Sequence, residues 1–217
     1  SRKIINLPSW DFSRDGKVWS QVAVPHDWAI SGPFDKKWDL QMVAIEQNGE
    51  KEKTEKSGRS GALPWIGEGM YKMNLQLPKG YKRAVLVFDG AMSQPVISVN
   101  GKEAGRWAYG YNAFRIDITP YVHFGGKKNL VEVHLSNVEE SSRWYPGGGL
   151  YRPVSVELYG NENFSTWDTF VRTLKADKQE AEVEVNALLE GKIGKSGKTV
   201  IALLDEAGTK VAEQTIS

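Results

Sequence analysis

The chain has 217 residues, of which 40% are hydrophobic and 25% are charged, with a formal net charge of +1 and no cysteine. These are ordinary globular values, and the balanced charge gives no electrostatic reason to expect nucleic acid or an anionic membrane as a partner. A disulfide framework, a thiolate nucleophile and a cysteine-ligated metal site are excluded.

Strand signals dominate the first 160 residues. Apolar side chains occupy every second position of Tyr71–Leu77, which predicts a half-buried strand, and the apolar run Ala84–Phe88 predicts a strand buried on both faces. The dipeptide Asn100-Gly101 lies between two strand-like runs and predicts a hairpin, because a type I′ turn needs positive φ at both central residues. Further alternating runs predict strands at Phe114–Ile118, Leu130–Leu135 and Val154–Leu158.

We therefore expect an all-β fold. About eight to ten strands up to residue 160 suit a jelly-roll β-sandwich. The segment Asp35–Gly69 shows little strand pattern and is interpreted as an elaborate surface loop, since structureless segments of this length are usually functional or disordered.

A second β pattern follows a break near residue 160. It resembles the strand spacing of an immunoglobulin-like sandwich, which takes about seven strands and about 100 residues. Residues 161–217 are too few for that fold, so we expect an incomplete domain. The strands predicted here are Thr166–Leu174, Ala181–Leu189, Thr199–Leu204 and Lys210–Ile216.

Five segments of the chain resemble signature segments of glycoside hydrolase family 2, in the order in which that family carries them. They are Val24–Trp28 (VPHDW), Gly61–Tyr71 (GALPWIGEGMY), Phe88–Met92 with Val99–Gly101 (FDGAM and VNG), Gly110–Phe114 with Asp117–Thr119 (GYNAF and DIT), and Ser142–Arg152 (SRWYPGGGLYR). Each segment alone is a weak signal, whereas all five in order are hard to obtain by chance. The chain also departs from the family pattern, with Met70 at a position that is usually Trp and Lys72 at one that is usually Arg.

The resemblance implies a layout and an activity. Residues 1–160 correspond to a galactose-binding-domain-like jelly roll, residues 161–217 to the start of an immunoglobulin-like domain, and the catalytic (β/α)₈ barrel would lie outside this chain. Family members are retaining enzymes with a pair of catalytic carboxyl groups, and no carboxylate of this chain lies in a matching motif. We therefore expect no catalytic residue here and an inactive chain, belonging to a parent β-galactosidase that acts on terminal β-galactosides.

Two alternatives stay open for the parent protein. One is a stand-alone carbohydrate-binding or adhesion module without hydrolytic activity, and the other is a β-glucuronidase or β-mannosidase. Continuation of the gene into a barrel with two catalytic glutamates would exclude the stand-alone module. The sequences of the segments that contain Trp65 and Trp144 favour a β-galactosidase parent, and this preference rests on the family resemblance alone.

Asp27 is the first candidate for contact with substrate. In one interpretation Asp27 or His26 hydrogen-bonds a sugar hydroxyl near the mouth of the barrel. In the other, which is favoured, Pro25 ends a strand, the Asp27 carboxylate caps backbone N–H groups and Trp28 packs. A Ser-His-Asp triad is excluded, because adjacent His26 and Asp27 cannot orient one another as a triad requires.

The remaining candidates lie in two loops. Arg143 and Trp144 precede three glycines, and the guanidinium suits either sugar hydroxyls or a carboxylate of the barrel. Ser142 is counted with them, although serine replaces the acid that reaches the sugar in some relatives. Arg59 and Trp65 would contact the sugar if the long loop folds over the active-site mouth, and would otherwise belong to a solvated loop.

The expected partners are a β-linked glycan and, within the parent, the catalytic barrel. No cofactor, metal, nucleic acid or membrane partner is expected, and an oligomer of the full-length protein remains open. His123 and His134 lack metal-ligand spacing and are interpreted as core or surface residues. A periplasmic or secreted location in a polysaccharide-degrading bacterium is expected from the resemblance alone.

Overall fold

The computed structural model describes residues 2–38, 43–44, 53–54, 63–137, 147–192 and 197–216. They form two compact units, Arg2–Leu158 and Tyr159–Ser217. Within these described ranges the only helical elements are 3₁₀ turns at Lys36–Trp38 and Thr119–Tyr121, so the predicted all-β class is confirmed. None of the helical segments in the described ranges has the length and apolarity needed to cross a bilayer. The identification of the units as a jelly roll and a partial immunoglobulin-like domain stays a prediction.

The first unit is built on two antiparallel sheets. Its strands are β1 (Arg2–Asn6), β2 (Ser9–Ser13), β3 (Ser20–Ala23), β4 (Val43–Ala44), β5 (Lys53–Thr54), β6 (Glu68–Gln76), β7 (Arg83–Phe88), β8 (Val96–Val99), β9 (Lys102–Arg106), β10 (Phe114–Asp117), β11 (Lys128–Ser136) and β12 (Val154–Tyr159). The six-stranded sheet has the order β3-β2-β6-β11-β8-β9, the four-stranded sheet has the order β1-β12-β7-β10, and β4 pairs with β5 separately.

Local sequence pattern explains the central strands. In β6 the side chains of Tyr71 and Leu75 are buried while those of Asn74 and Gln76 point to solvent, as period-2 alternation predicts. Strand β7 is buried on both faces, which confirms the prediction from its continuous apolar run. Asn100 and Gly101 have φ of 51° and 78° between β8 and β9, so the predicted hairpin is confirmed.

Both sheets contribute to one hydrophobic core. Trp10 and Tyr71 come from the six-stranded sheet, Phe88 and Phe114 come from the four-stranded sheet, and all four are buried in the same cluster. Burying a side chain of this size contributes about 1.5–3 kcal/mol. The two sheets therefore form a β-sandwich, with its loops arranged around the rims.

One buried carboxylate connects strands of the four-stranded sheet. Glu157 on β12 is 4% exposed and forms ion pairs with both Arg2 on β1 and Arg115 on β10. Strand β12 neighbours β1 and β7, and β10 is the far neighbour of β7. Val156, Leu158, Phe114 and Ile116 face the hydrophobic core, so the three charged side chains connect both edges of the sheet across its opposite face.

The second unit consists of three two-stranded antiparallel pairs, β13-β16, β14-β15 and β17-β18. The predicted strand Thr166–Leu174 begins too early, because Ser165 and Asp168 hydrogen-bond in a turn and the strand starts at Phe170. The predicted strand Ala181–Leu189 ends too late, since its last residue pairs with Phe164 in a separate strand. The strands are β13 (Glu162–Phe164), β14 (Phe170–Ala176), β15 (Ala181–Asn186), β16 (Leu189–Gly191), β17 (Thr199–Leu204) and β18 (Lys210–Ile216).

Candidate functional site

Two segments that are distant in sequence run side by side at one rim of the first unit. The amide of His26 donates to the carbonyl of Leu150 at 2.7 Å, and the amide of Trp28 donates to the carbonyl of Gly148 at 3.0 Å. Residues 26–28 and 148–150 are called the Asp27 corner below. It joins two of the segments that the sequence singled out, VPHDW and the glycine run.

The Asp27 carboxylate holds the corner together. Its Oδ1 accepts hydrogen bonds from the amides of Ala29 at 2.9 Å and Gly148 at 3.1 Å. The backbone contacts expected of a structural cap are therefore present. Contact of Asp27 with a sugar stays a prediction.

Trp28 fills the space behind the corner. Its side chain is fully buried, stacked at 5.7 Å from the ring of Phe12 and 6.4 Å from that of Tyr71. Two glycines give it room, because a Cβ at Gly69 would lie 2.1 Å, and one at Gly148 2.2 Å, from atoms of the indole. Glycine is thus required at Gly148 by the tryptophan beneath it, and not by a positive φ.

His26 and Tyr71 form a hydrogen-bonded pair below the corner. His26 Nδ1 lies 2.7 Å from the Tyr71 hydroxyl. Burial lowers the pKa of His26, with nearby Arg14 acting in the same direction and Asp27 opposing it. Burial also raises the pKa of Tyr71. Both side chains are therefore held in their uncharged forms around neutral pH, which suits a packing and positioning function.

Trp65 joins the same cluster from the end of the long loop. Its ring meets Trp28 edge-on at 5.6 Å, and the guanidinium carbon of Arg14 lies 4.8 Å from the ring centroid. Arg14 also donates hydrogen bonds to the carbonyls of Trp28 and Gly32, and burial lowers its pKa. Arg14 could not be identified from the sequence, because no local motif marks an arginine whose partners lie 14 and more positions away.

The corner receives the described ends of both candidate loops. Asn137 donates its amide to the Gly67 carbonyl at 3.0 Å and its side-chain Nδ2 to the Gly147 carbonyl at 2.5 Å. Asp35 donates its amide to the Leu63 carbonyl at 3.0 Å. The residues that flank 39–62 and 138–146 are thus fixed beside one another. The predicted site residues Arg59, Ser142, Arg143 and Trp144 lie outside the described residues, so the structure brings together Asp27 and Trp65 alone, through Trp28.

A cavity of about 430 Å³ opens beside the corner. Arg14, Asp15 and His26 are among its lining residues. The Asp15 carboxylate accepts hydrogen bonds from the amides of Lys17 and Val18 at 2.8 and 2.9 Å. These hydrogen bonds lower the pKa of Asp15 and engage its carboxylate within its own turn. Among the described residues no group of three His, Asp or Glu side chains is arranged to hold a metal ion. The chemistry available here is hydrogen bonding and aromatic packing.

Comparisons with known proteins give a consistent assignment. No model of a known protein family matches the chain. It is 30% identical over 200 residues to a β-galactosidase from Bacteroides ovatus, an alignment that covers 90% of this chain and 21% of the relative. It is 23% identical to a β-glucuronidase from Formosa agariphila, over 93% of this chain and 21% of the relative.

Solved structures agree with these relatives. A glycosyl hydrolase family 2 member from Bacteroides cellulosilyticus matches with a TM-score of 0.75 and 28% identity, over 98% of this chain and 28% of that chain. The chain spans about a fifth of the length of the curated relatives it matches.

Proposed function

Because this chain belongs to glycoside hydrolase family 2, we propose that it forms a non-catalytic β-sandwich region of a retaining glycoside hydrolase that acts on terminal β-galactosides. The chain alone is inactive in this proposal, because the carboxyl pair that a retaining enzyme needs, about 5–5.5 Å apart, belongs to a catalytic domain outside it. The name of the Bacteroides ovatus relative supports the galactoside.

The Asp27 corner is the observation that carries the proposal. One carboxylate oxygen holds the backbone at Ala29 and Gly148, and Asn137 holds the backbone at Gly67 and Gly147. The flanks of both candidate loops are therefore fixed on a rigid sandwich. Loops held in this way position side chains at a substrate while the scaffold stays still. Arg59, Ser142, Arg143 and Trp144 would supply contacts to the sugar from these loops, and Asp27 and Trp65 would support them.

A β-glucuronidase parent is the second candidate. It is favoured by the name of the Formosa agariphila relative, which this chain matches over 93% of its own length. The two candidates differ at two carbons of the sugar: C6 is a hydroxymethyl in galactose and a carboxylate in glucuronic acid, and the C4 hydroxyl is axial in galactose and equatorial in glucuronic acid. The ratio of kcat/KM for a nitrophenyl β-galactoside and the matching β-glucuronide distinguishes them.

A periplasmic or secreted location accords with a polymeric substrate and remains part of this proposal.

Kinetics of the full-length parent test the contribution of the loops. We expect Arg143→Ala and Trp144→Ala to lower kcat/KM by about tenfold or more, because each would remove binding that the transition state also uses. Arg172→Ala is the control, since Arg172 forms only an exposed ion pair with Glu184 on the second unit. Unchanged kinetics in both loop variants would contradict the proposed contribution to the active site.

A further inference from the structure

A second aromatic surface lies on the loop that leaves β9 and enters β10, beside Met92, whose backbone pairs with Gly149 of the Asp27 corner. This loop, residues 107–113, is called the rim loop. Strand β9 is an edge of the six-stranded sheet and β10 an edge of the four-stranded sheet, so the loop crosses the rim of the sandwich. Three of its side chains are exposed: Trp107 by 37%, Tyr109 by 57% and Tyr111 by 41%. Clustered exposed aromatic side chains are typical of binding surfaces.

Trp107 ends a stack of parallel rings that starts in the core. Phe88 and Phe114 are fully buried and stack at 4.7 Å with an interplanar angle of 5°. Trp107 stacks on Phe114 at 5.6 Å and 8°. One face of the indole is thus covered by Phe114, while the side chain as a whole stays 37% exposed. The Trp107 Nε1–H donates to Asn112 Oδ1 at 2.8 Å, which fixes the rotation of the ring.

The backbone of the rim loop is held at several points. The Trp107 amide donates to the Pro95 carbonyl at 3.0 Å, and the Tyr151 hydroxyl donates to the Gly110 carbonyl at 2.8 Å. Gly110 packs so closely on Met92 that a Cβ there would lie 2.4 Å from Sδ. A loop fixed in this way presents its aromatic rings without a further ordering cost on binding.

Two of these aromatic side chains, Trp107 and Tyr109, border a cavity of about 480 Å³. Its lining combines Val96, Trp107, Ala108 and Tyr109 with the polar side chains of Gln94 and Arg106. Gln94 has a φ of 49°, a left-handed conformation that is uncommon for a residue other than glycine and clusters at binding sites. The volume falls in the range of about 300–1,000 Å³ that is usual for small-ligand sites.

We propose that the rim loop and this cavity form a carbohydrate-binding site that takes a neutral pyranose of a β-linked glycan, with the sugar ring lying on the outer face of Trp107. The apolar C–H face of a pyranose packs on an aromatic ring, as at other aromatic binding surfaces. Gln94 offers an amide donor and acceptor to the ring hydroxyls. The Arg106 guanidinium is held by two hydrogen bonds to Glu103, at 2.9 and 2.8 Å, which offsets its charge and disfavours an anionic ligand.

Among the described residues, the six that line the cavity include no acid and no histidine, so the proposal assigns binding alone to them. The inference takes its ligand class from the proposed function and otherwise stands on separate residues. Binding to the isolated chain and hydrolysis by the parent are measured independently, so either can fail alone.

The test is a titration of the 217-residue chain with neutral β-linked tetrasaccharides of galactose, glucose, mannose and xylose, followed by NMR of the tryptophan indole N–H signals. We expect at least one to bind with a Kd of about 1 mM or tighter and to shift the Trp107 signal. Trp107→Ala and Tyr109→Ala should each weaken that binding by about tenfold or more. Trp167→Ala is the control, because Trp167 is 63% exposed on the second unit.

Several outcomes would overturn the inference. One is that none of the four saccharides binds. Another is that Trp107→Ala and Tyr109→Ala both retain the affinity of the original chain. A third is that Trp167→Ala loses as much affinity as they do. Self-association of the chain that Trp107→Ala abolishes, without saccharide binding, would assign the surface to a protein partner instead. If Trp107→Ala fails to fold, Trp107→Phe keeps the stacked ring with a smaller face, and Tyr109→Ala, at an exposed position, carries the test.

Discussion

Asp27 and Gly148 are 121 positions apart in the chain, and the Gly148 amide donates a hydrogen bond to Asp27 Oδ1 at 3.1 Å. The same oxygen accepts the amide of Ala29 at 2.9 Å. One carboxylate thus fixes the backbone that follows segment 138–146 to the backbone that follows β3. The corner is therefore a hydrogen-bonded junction between the VPHDW segment and the glycine run.

Removing the Asp27 acceptor should destabilise the first unit. Asp27→Ala leaves two backbone N–H groups without this partner, and we expect a loss of about 1–3 kcal/mol in the free energy of unfolding. Asp27→Asn keeps a side-chain oxygen at the same place and should cost less than about 1 kcal/mol. Urea denaturation of the 217-residue chain measures both. Equal losses in the two variants would show that charge, rather than the hydrogen-bond geometry, holds the corner.

Gly148→Ala tests the packing of Trp28. The new Cβ would lie 2.2 Å from the indole nitrogen, and the rigid buried ring has no free space to move into. We expect a loss of about 1–3 kcal/mol or more. Gly197→Ala is the matched control, because a Cβ at Gly197 meets nothing within 4 Å. Similar unfolding midpoints for the two variants would mean that the corner relaxes more easily than its contacts indicate.

Glu157→Gln tests the ion pairs that Glu157 forms with Arg2 and Arg115 in the four-stranded sheet. The substitution keeps the shape of the side chain and leaves Arg2 and Arg115 facing an uncharged group in a largely buried position. We expect a loss of about 2–4 kcal/mol, somewhat below the usual cost of breaking a fully buried pair, because the Arg2 side chain is 45% exposed. Glu184→Gln breaks the exposed pair with Arg172 and should cost less than about 1 kcal/mol. An equally small loss of unfolding free energy in Glu157→Gln and Glu184→Gln would show that the ion pairs of Glu157 do not stabilise the sheet.

His26 should make stability depend on pH in one direction. Burial lowers its pKa below the ordinary value of 6.5, so between the two pKa values the unfolded chain binds more protons than the folded one. The stability from neutral His26 is therefore full above about pH 6.5 and is lost as the pH falls towards the folded pKa. Arg14 supports the lowered pKa and Asp27 opposes it.

His26→Gln isolates this contribution, since the other titrating groups stay in place. The difference in urea midpoint between the original chain and His26→Gln should shrink from about pH 8 to about pH 5. A difference that stays constant or grows as the pH falls would show that His26 is not held neutral by burial.

Much of the sandwich could be predicted because its central strands carry local signals. The alternation in Tyr71–Leu77 and the turn residues Asn100 and Gly101 depend on neighbours in sequence, and the structure confirms both. Strands β1 and β3 were missed, because Arg2–Asn6 and Ser20–Ala23 are short and show no clear alternation. Their formation depends on pairing with strands already in the sheets.

The site was less predictable for the same physical reason. Capping by Asp27 could be expected from its position after Pro25, but its partner Gly148 could not, because long-range register leaves no local pattern. The position of Arg14 over Trp65 depends on the same kind of packing between residues distant in sequence. In each case the residue type indicates what the side chain can do, and the fold decides which partner it meets.

The most direct test of the central claim is hydrolysis of a panel of nitrophenyl β-glycosides by the full-length parent and by the 217-residue chain side by side. The account predicts that the parent cleaves a terminal β-galactoside and that the chain cleaves no member of the panel. Turnover by the chain itself, abolished by substitution of one of its own carboxylates, would contradict the account.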